Sequence, residues 1–150
     1  VGDTDRNALI AVARDAALRA YAPYSGFHVG AALRLTNGDV MTAANVENAS
    51  HGLSLCAETI AVARIANEGR IGELAEIAIV GGRAEGGALT GGDPVHPCGR
   101  CRQILHEAAQ RSRIDIWVHC ASGDGHAVKS YRLSELLPQA FGPKDLGLID

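Results

Sequence analysis

Residues 27–46, FHVGAALRLTNGDVMTAANV, and residues 56–67, CAETIAVARIAN, decide the fold. In the first stretch two apolar-rich runs, Phe27–Leu35 and 39–46, flank Asn37-Gly38, the dipeptide that best tolerates the positive φ angles of a tight hairpin turn. The spacing therefore predicts an antiparallel β-hairpin. The second stretch is rich in Ala, reads as a helix, and has Gly69 placed to end it. Upstream, residues 5–21 carry Leu9, Val12, Ala13, Ala16, Ala17 and Ala20 at helical spacing, with Thr4 or Asp3 as the cap and a stop before Pro23. Downstream, 75–80 reads as a buried strand, 81–97 as a Gly- and Pro-rich loop, and 98–109 as a further helix. Residues 114–119 and 127–133 read as strands around the turn at 122–125, and a short helix follows over 133–140. The order α-β-β-α-β-α-β-β-α predicts an α/β fold in a single domain spanning 1–150, a three-layer α/β/α sandwich around a five-stranded mixed sheet. Strands must run parallel wherever a helix makes the crossover between them.

Composition bounds the function. A chain of 150 residues has the size of one domain, and such a domain buries roughly 68–70% of its unfolded surface without needing staples. With 47% hydrophobic and 21% charged residues the chain is too apolar for disorder. A net charge of -3 and the absence of any Lys/Arg block argue against affinity gained by neutralising phosphates, so a small, weakly charged ligand is expected and nucleic acid is not. No stretch reaches the ~18 apolar residues that cross a bilayer, and residues 1–20 interleave charged and apolar side chains, unlike a signal peptide. A cytoplasmic location without membrane contact is expected. The four cysteines, at 56, 98, 101 and 120, read as reduced thiols or metal ligands, because a chain with this much core needs no disulfides.

Three of those cysteines form a pattern. Cys56-Ala57-Glu58 opens one predicted helix, and Pro97-Cys98-Gly99-Arg100-Cys101 opens another. Cysteines at i and i+3 of a helix start can aim two sulfurs at one ion, and Cys56 supplies a third, which leaves the fourth tetrahedral position open for water as in a catalytic zinc site. Three thiolates against a dication leave excess negative charge, and the unpaired N–H groups and positive dipole ends of the helix starts can offset it. Glu58 lies close enough to reach that water and is positioned to take a proton from it and hand protons to a ring nitrogen and a departing amine. A ligand two residues before a glutamate, followed by Pro-Cys-x-x-Cys, is the signature of zinc nucleobase deaminases in its three-cysteine form. Each part alone has a plainer reading: a Cys-x-x-Cys pair as redox or buried thiols, Glu58 as a capping acid. Cys120, at a strand end without a partner motif, reads as a core residue.

The chain resembles the small homotetrameric zinc-dependent cytidine deaminases from about residue 8 to the Phe141-Gly142-Pro143 region. The markers are Tyr21-Ala22-Pro23-Tyr24-Ser25-Gly26-Phe27, Val29-Gly30-Ala31-Ala32-Leu33, Asn45-Val46-Glu47-Asn48, Cys56-Ala57-Glu58, Pro97-Cys98-Gly99-Arg100-Cys101-Arg102-Gln103 and Leu136-Leu137-Pro138-Gln139-Ala140-Phe141. The resemblance implies one Zn2+ per chain and hydrolytic deamination of cytidine and deoxycytidine to uridine and deoxyuridine, a pyrimidine-salvage reaction. It implies that Phe27 stacks on the pyrimidine, that Asn45 and Glu47 hold the ribose 3′ hydroxyl, and that the backbone of Ala57 meets the base. It further implies a homotetramer in which Phe141 caps the pocket of a neighbouring subunit. Alone, Phe27 reads as a core aromatic, and Asn45 and Glu47 as caps of the turn that follows.

Four positions depart from the family pattern: Thr59 stands where an arginine usually follows the glutamate, His51 in place of a tyrosine, His96 in place of a small residue, and Ala44 in place of a frequent cysteine. Thr59 shifts the burden of stabilising thiolate charge to Gln103, helix amides or its own hydroxyl. His96 raises a fourth zinc ligand, which the extended backbone before Pro97 disfavours. A zinc aminohydrolase for a modified cytosine nucleoside or another aminopyrimidine, and a non-enzymatic zinc module, stay open as alternatives. Asn45 and Glu47 favour a sugar-bearing substrate, since a buried amide and carboxylate are costly with no hydroxyl to bind.

Overall fold

The structure is a computed structural model that describes residues 2–150; Val1, the first residue of the expected domain, lies outside the described residues. Helix α1 (Asp3–Ala17) precedes strands β1 (Phe27–Leu35) and β2 (Val40–Ala44), and α2 (Ala57–Asn67) leads to β3 (Leu74–Glu85) and β4 (Ala88–Thr90). Helix α3 (Gly99–Ser112) crosses to β5 (Trp117–Ser122), then β6 (Val128–Arg132) and α4 (Leu133–Leu136). The sheet runs β2-β1-β3-β5-β6, with β4 hydrogen-bonded to the far end of β3. The β3 and β5 strands are parallel, as the α3 crossover requires, and the other pairings are antiparallel. The expected five-stranded mixed sheet is therefore present and carries β4 as a sixth strand.

Alternation along the strands divides the core in two. Odd-numbered positions of β1 and β3, among them Leu33, Ile77 and Ile79, join Ile65 of α2 and Leu105 of α3 on one face. Even-numbered positions such as Ala32 and Val80 meet Leu9, Ile10 and Ala13 of α1 on the other. Complete burial of one such leucine or isoleucine stabilises the fold by roughly 1.5–3 kcal/mol. Gly30 lets α1 lie directly on β1: a Cβ there would stand 1.9 Å from the Ala13 carbonyl oxygen and 2.6 Å from Ala17 N.

Several boundaries differ from those read off the sequence. Helix α1 starts at Asp3 with extended Gly2 before it, so neither Thr4 nor Asp3 is the cap; Asp3 and Asp5 instead place charge in the first turn, where the helix dipole favours it. The first hairpin has a three-residue loop, with Gly38 N donating to Leu35 O and Leu35 N to Asp39 O. Only Gly38, at φ 95°, is left-handed there. The segment expected as a loop over 81–97 begins as strand, because Gly86 and Gly87, with φ of 59° and 79°, turn the chain back so that Glu85 faces Ala88. That Gly-Gly pair is itself a hairpin signal. Strand β5 starts at Trp117, not at 114, since residues 114–116 carry the chain off the left-handed end of α3 at Arg113. The C-terminal helix lasts four residues, because Leu137 precedes Pro138 and is forced out of the helical region.

Candidate active site

Both helix starts that carry the cysteines lie on the α2/α3 side of the sheet. Cys56 is the extended residue that caps α2, and Cys98 caps α3 in the same way. Cys101 sits one turn into α3 and is fully buried, whereas Cys98 is exposed. The Sγ atoms of Cys56, Cys98 and Cys101 lie within 4.8 Å of one another. Sulfurs sharing a tetrahedral zinc at about 2.3 Å stand about 3.8 Å apart, so three soft donors at this spacing, at the positive ends of two helices, fit that ion. Neither His96 nor Cys120 joins them among the described residues. The ring of His96 turns to Tyr131, with Nε2 3.0 Å from the phenol oxygen. Cys120 is buried in the main core on β5, as its isolation in sequence suggests, and burial pushes its thiol up to about 12.

The thiols interact. A hydrogen bond with Cys101 holds the Cys56 thiol below its ordinary value, and the same bond, together with burial and the nearby Glu58 carboxylate, pushes Cys101 up. Thr59 Oγ1 lies 3.5 Å from Cys101 Sγ. It is the hydroxyl at the position where the family resemblance implies an arginine, and its contact favours the thiolate. Glu58 is in the first turn of α2 and only 4% exposed. Desolvation raises its carboxyl above the usual range, opposed by hydrogen bonds from its own N–H and from Cys101. A carboxylate so placed can both accept and return a proton. Ala57, the first helical residue, is fully buried.

A second group is built on the start of β1. Asn45, just past β2, spends its side chain on the neighbouring strand: Oδ1 accepts from Val29 N at 2.8 Å and Nδ2 donates to Phe27 O at 3.0 Å. Glu47 accepts from Tyr24 N, Ser25 N and, at 2.6 Å, from Ser25 Oγ. These bonds, the Ser25 hydroxyl first, hold the Glu47 carboxyl below its ordinary range, with His51 adding a favourable charge, so it stays an acceptor. The Ser25 hydroxyl also receives the Phe27 N–H at 3.0 Å. Asn45 keeps one amide N–H and Glu47 keeps acceptor positions for a ligand. His51 packs edge-on against Tyr24, with ring centroids 5.9 Å apart.

The two groups are joined at two places. Val46, between Asn45 and Glu47, forms a two-way bridge with Leu55, the residue before Cys56. On the other side Phe27 and Val95 close over Gly81, where a Cβ would stand 3.1 Å from Phe27 Cε1 and 2.8 Å from Val95 Cγ2. The chain runs from Val95 through Pro97 to Cys98. Ser25, quoted above only within a family marker, and Gly81 and Val95 thus support the site in roles the sequence does not disclose, because their contacts join residues distant along the chain. Phe141 is not part of this group: its carbonyl is tied to Gln103 of α3 and the residue is 62% exposed. Two cavities, of about 490 and 520 Å³, contain none of the cysteines, Glu58 or Phe27. Leu53, Leu55 and Tyr24, which flank these groups along the chain, are exposed.

A cluster of three thiols with a buried glutamate at paired helix starts on an α/β/α sandwich defines the zinc-dependent deaminase class. Residues 3–116 match the family described as the cytidine and deoxycytidylate deaminase zinc-binding region. A cytidine deaminase of Mycobacterium tuberculosis is 43% identical over 145 residues, 96% of this chain and 95% of that protein. One from Halalkalibacterium halodurans is 39% identical over 142 residues, 95% of this chain and 98% of that one. The crystal structure of cytidine deaminase from Burkholderia pseudomallei superposes with a TM-score of 0.75 at 42% identity, covering 89% of this chain and 97% of that one. The chain belongs to the cytidine and deoxycytidylate deaminase family, and zinc is the metal its donor set fits.

Proposed function

We propose that this protein catalyses the hydrolytic deamination of cytidine and 2′-deoxycytidine to uridine and 2′-deoxyuridine, with release of ammonia, as a cytoplasmic pyrimidine-salvage enzyme. The observation that carries the reading is the buried Glu58 beside the three-sulfur cluster, bridged through Val46 and Leu55 to Asn45 and Glu47. Cys56, Cys98 and Cys101 would hold the zinc, which supplies the Lewis acidity that makes water a nucleophile near neutral pH.

The remaining chemistry belongs to the chain. Glu58 takes a proton from the attacking water as its oxygen bonds to C4, and delivers that proton to N3 of the pyrimidine. It then moves the remaining hydroxyl proton to the amino group, the C4–N bond breaks, ammonia leaves, and C4 becomes a carbonyl. Glu58 ends in the protonation state in which it began. Phe27 stacks on the ring, the backbone of Ala57 meets the base, and Asn45 and Glu47 receive the 3′ hydroxyl. The low carboxyl pKa of Glu47 suits an acceptor that must stay ionised.

The exposed Leu53, Leu55 and Phe141 support a homotetramer in which neighbouring subunits complete each pocket. No described helix is long and apolar enough to cross a membrane. An ultraviolet assay with cytidine, deoxycytidine and free cytosine tests the reading. Both nucleosides should be turned over and cytosine should not; turnover of cytosine alone would overturn the sugar site.

A further inference from the structure

After α4 the chain does not rejoin the sheet; it runs along α3. Three α3 residues, Gln103, His106 and Gln110, spaced to share one helical face, meet it. Gln103 Nε2 donates to Phe141 O at 2.7 Å and to none of the cysteine sulfurs among the described residues, so it does not take up the thiolate charge as expected from sequence, and Gln110 Oε1 accepts from Lys144 N at 3.0 Å. Between these bonds Gly142 lies so close to the helix that a Cβ would stand 2.6 Å from Gln110 Oε1 and 2.8 Å from His106 Nε2. The Gly142 backbone, at φ -156° and ψ -170°, is extended and open to any residue, so an added Cβ is opposed only by these two side-chain ends, which must shift to admit it. Its N–H donates to Asp145 Oδ2 at 2.8 Å, which starts the short 3-10 helix Pro143–Leu146. His106 Nε2 is buried with no hydrogen-bond partner among the described residues. Behind the segment lies a cavity of about 490 Å³ lined by His106, Gln110, Gln139, Ala140 and Lys144 among others. The polar contacts to α3 hold the backbone at the Phe141 carbonyl and on its C-terminal side while leaving the residue itself 62% exposed.

We propose that Gln103, His106 and Gln110, acting through the close seat of Gly142, are positioning residues that fix the direction of Phe141 before chains associate. This rests on the reading that Phe141 closes a neighbouring subunit's nucleoside pocket. An aromatic side chain already fixed on its own chain loses less freedom when it enters the neighbour's pocket, so the pocket closes more firmly on the substrate. None of these residues touches the reacting atoms, so loss of the contact appears in substrate binding and not in the chemical step.

The test is steady-state kinetics with cytidine on Phe141→Ala, Gly142→Ala, Gln103→Leu and the Phe141→Ala/Gly142→Ala double variant. Zinc content and the mass of the assembly are measured on each. Phe141→Ala is expected to raise KM by about tenfold with kcat within about twofold, the size of effect expected for one aromatic anchor. Gly142→Ala and Gln103→Leu should do the same, with zinc and assembly unchanged. The double variant should be no worse than Phe141→Ala alone, because Gly142 acts only through Phe141. An unchanged KM in both Gly142→Ala and Gln103→Leu, or effects that multiply in the double variant, overturns the positioning role while leaving the pocket reading intact. An unchanged KM in Phe141→Ala overturns the pocket reading and with it this one. Should Gly142→Ala fail to fold, Gln103→Leu, which keeps the helix and removes only the donor to Phe141, decides alone.

Discussion

At the scale of single residues, the site depends on groups whose ordinary properties are changed by where they sit. Glu58 is buried at a helix start, and burial raises its carboxyl above the ordinary glutamate value, the direction that suits the proton-carrying role proposed for it. Glu58→Gln keeps the shape and the hydrogen bonds and cannot move a proton. It should retain one zinc per chain and lose roughly 10²–10⁴-fold in kcat; near-normal turnover would remove Glu58 from its role. Cys98→Ser should lower the zinc content measured by metal analysis, and a full zinc per chain in that variant would refute the ligand set. Thr59 offers the hydroxyl 3.5 Å from the Cys101 sulfur. Thr59→Val preserves the side-chain volume and removes the donor, so zinc should pass to a competing chelator roughly fivefold faster, the worth of one modest hydrogen bond. Thr59→Ser should behave as the parent, and equal release rates for all three would show that the hydroxyl does not hold the thiolate.

Among the elements, the contact between α1 and β1 is the most exacting. Glycine at position 30 lets helix backbone meet strand backbone, and the atoms a new Cβ would strike are the Ala13 carbonyl and the Ala17 nitrogen, neither of which can swing aside. Gly30→Ala should therefore cost about 2–3 kcal/mol and lower Tm by roughly 5–10 °C for a chain of this size. A scanning-calorimetry shift within about a degree of the parent would mean that α1 lifts off the sheet more easily than this packing implies. The hairpin of β1 and β2 is prolonged by the Asn45 side chain, which stands in for ladder hydrogen bonds and so fixes where Phe27 begins the strand. Residues assigned to the substrate are also the residues that shape the site.

For the molecule as a whole, one buried polar network lies outside the chemistry. His119 of β5, 3% exposed, donates from Nε2 to Glu76 at 2.9 Å and accepts at Nδ1 from the Ser130 hydroxyl at 2.7 Å. Glu76 in turn pairs with Arg34, whose guanidinium also reaches Asp5 O. Burial lowers the His119 pKa, with Arg6 and Arg34 adding to the effect and Glu76 opposing it. A histidine held neutral in the fold and free to charge when unfolded contributes stability that is present above its unfolded pKa, near 6.5. That contribution is lost as pH falls from there toward the folded value. Tm should thus drop between pH 7 and pH 5.5, and His119→Gln should flatten the slope; an equal slope in both proteins would assign the acid loss to other groups.

Much of this was legible along the chain, because the signals act over a few residues. Helical spacing in 56–67, the breaker at Gly69 and the turn at Asn37-Gly38 report local backbone preferences, and the cysteines and Glu58 sit at helix starts where short-range geometry decides which way they point. The length of β3 and the brevity of α4 were carried by Gly86-Gly87 and Pro138, which are also local signals. The sequence by itself determined the three-cysteine cluster that fits zinc, the buried place of Glu58 beside it at a helix start, and the layered α/β fold. Only the tertiary structure decided that Phe27 rests on Gly81 and Val95, that Ser25 ties Glu47 to Phe27, and that the Phe141 carbonyl is tied to Gln103 of α3. Those contacts join residues far apart in the chain, where loop closure and side-chain packing, and not local preference, determine what meets.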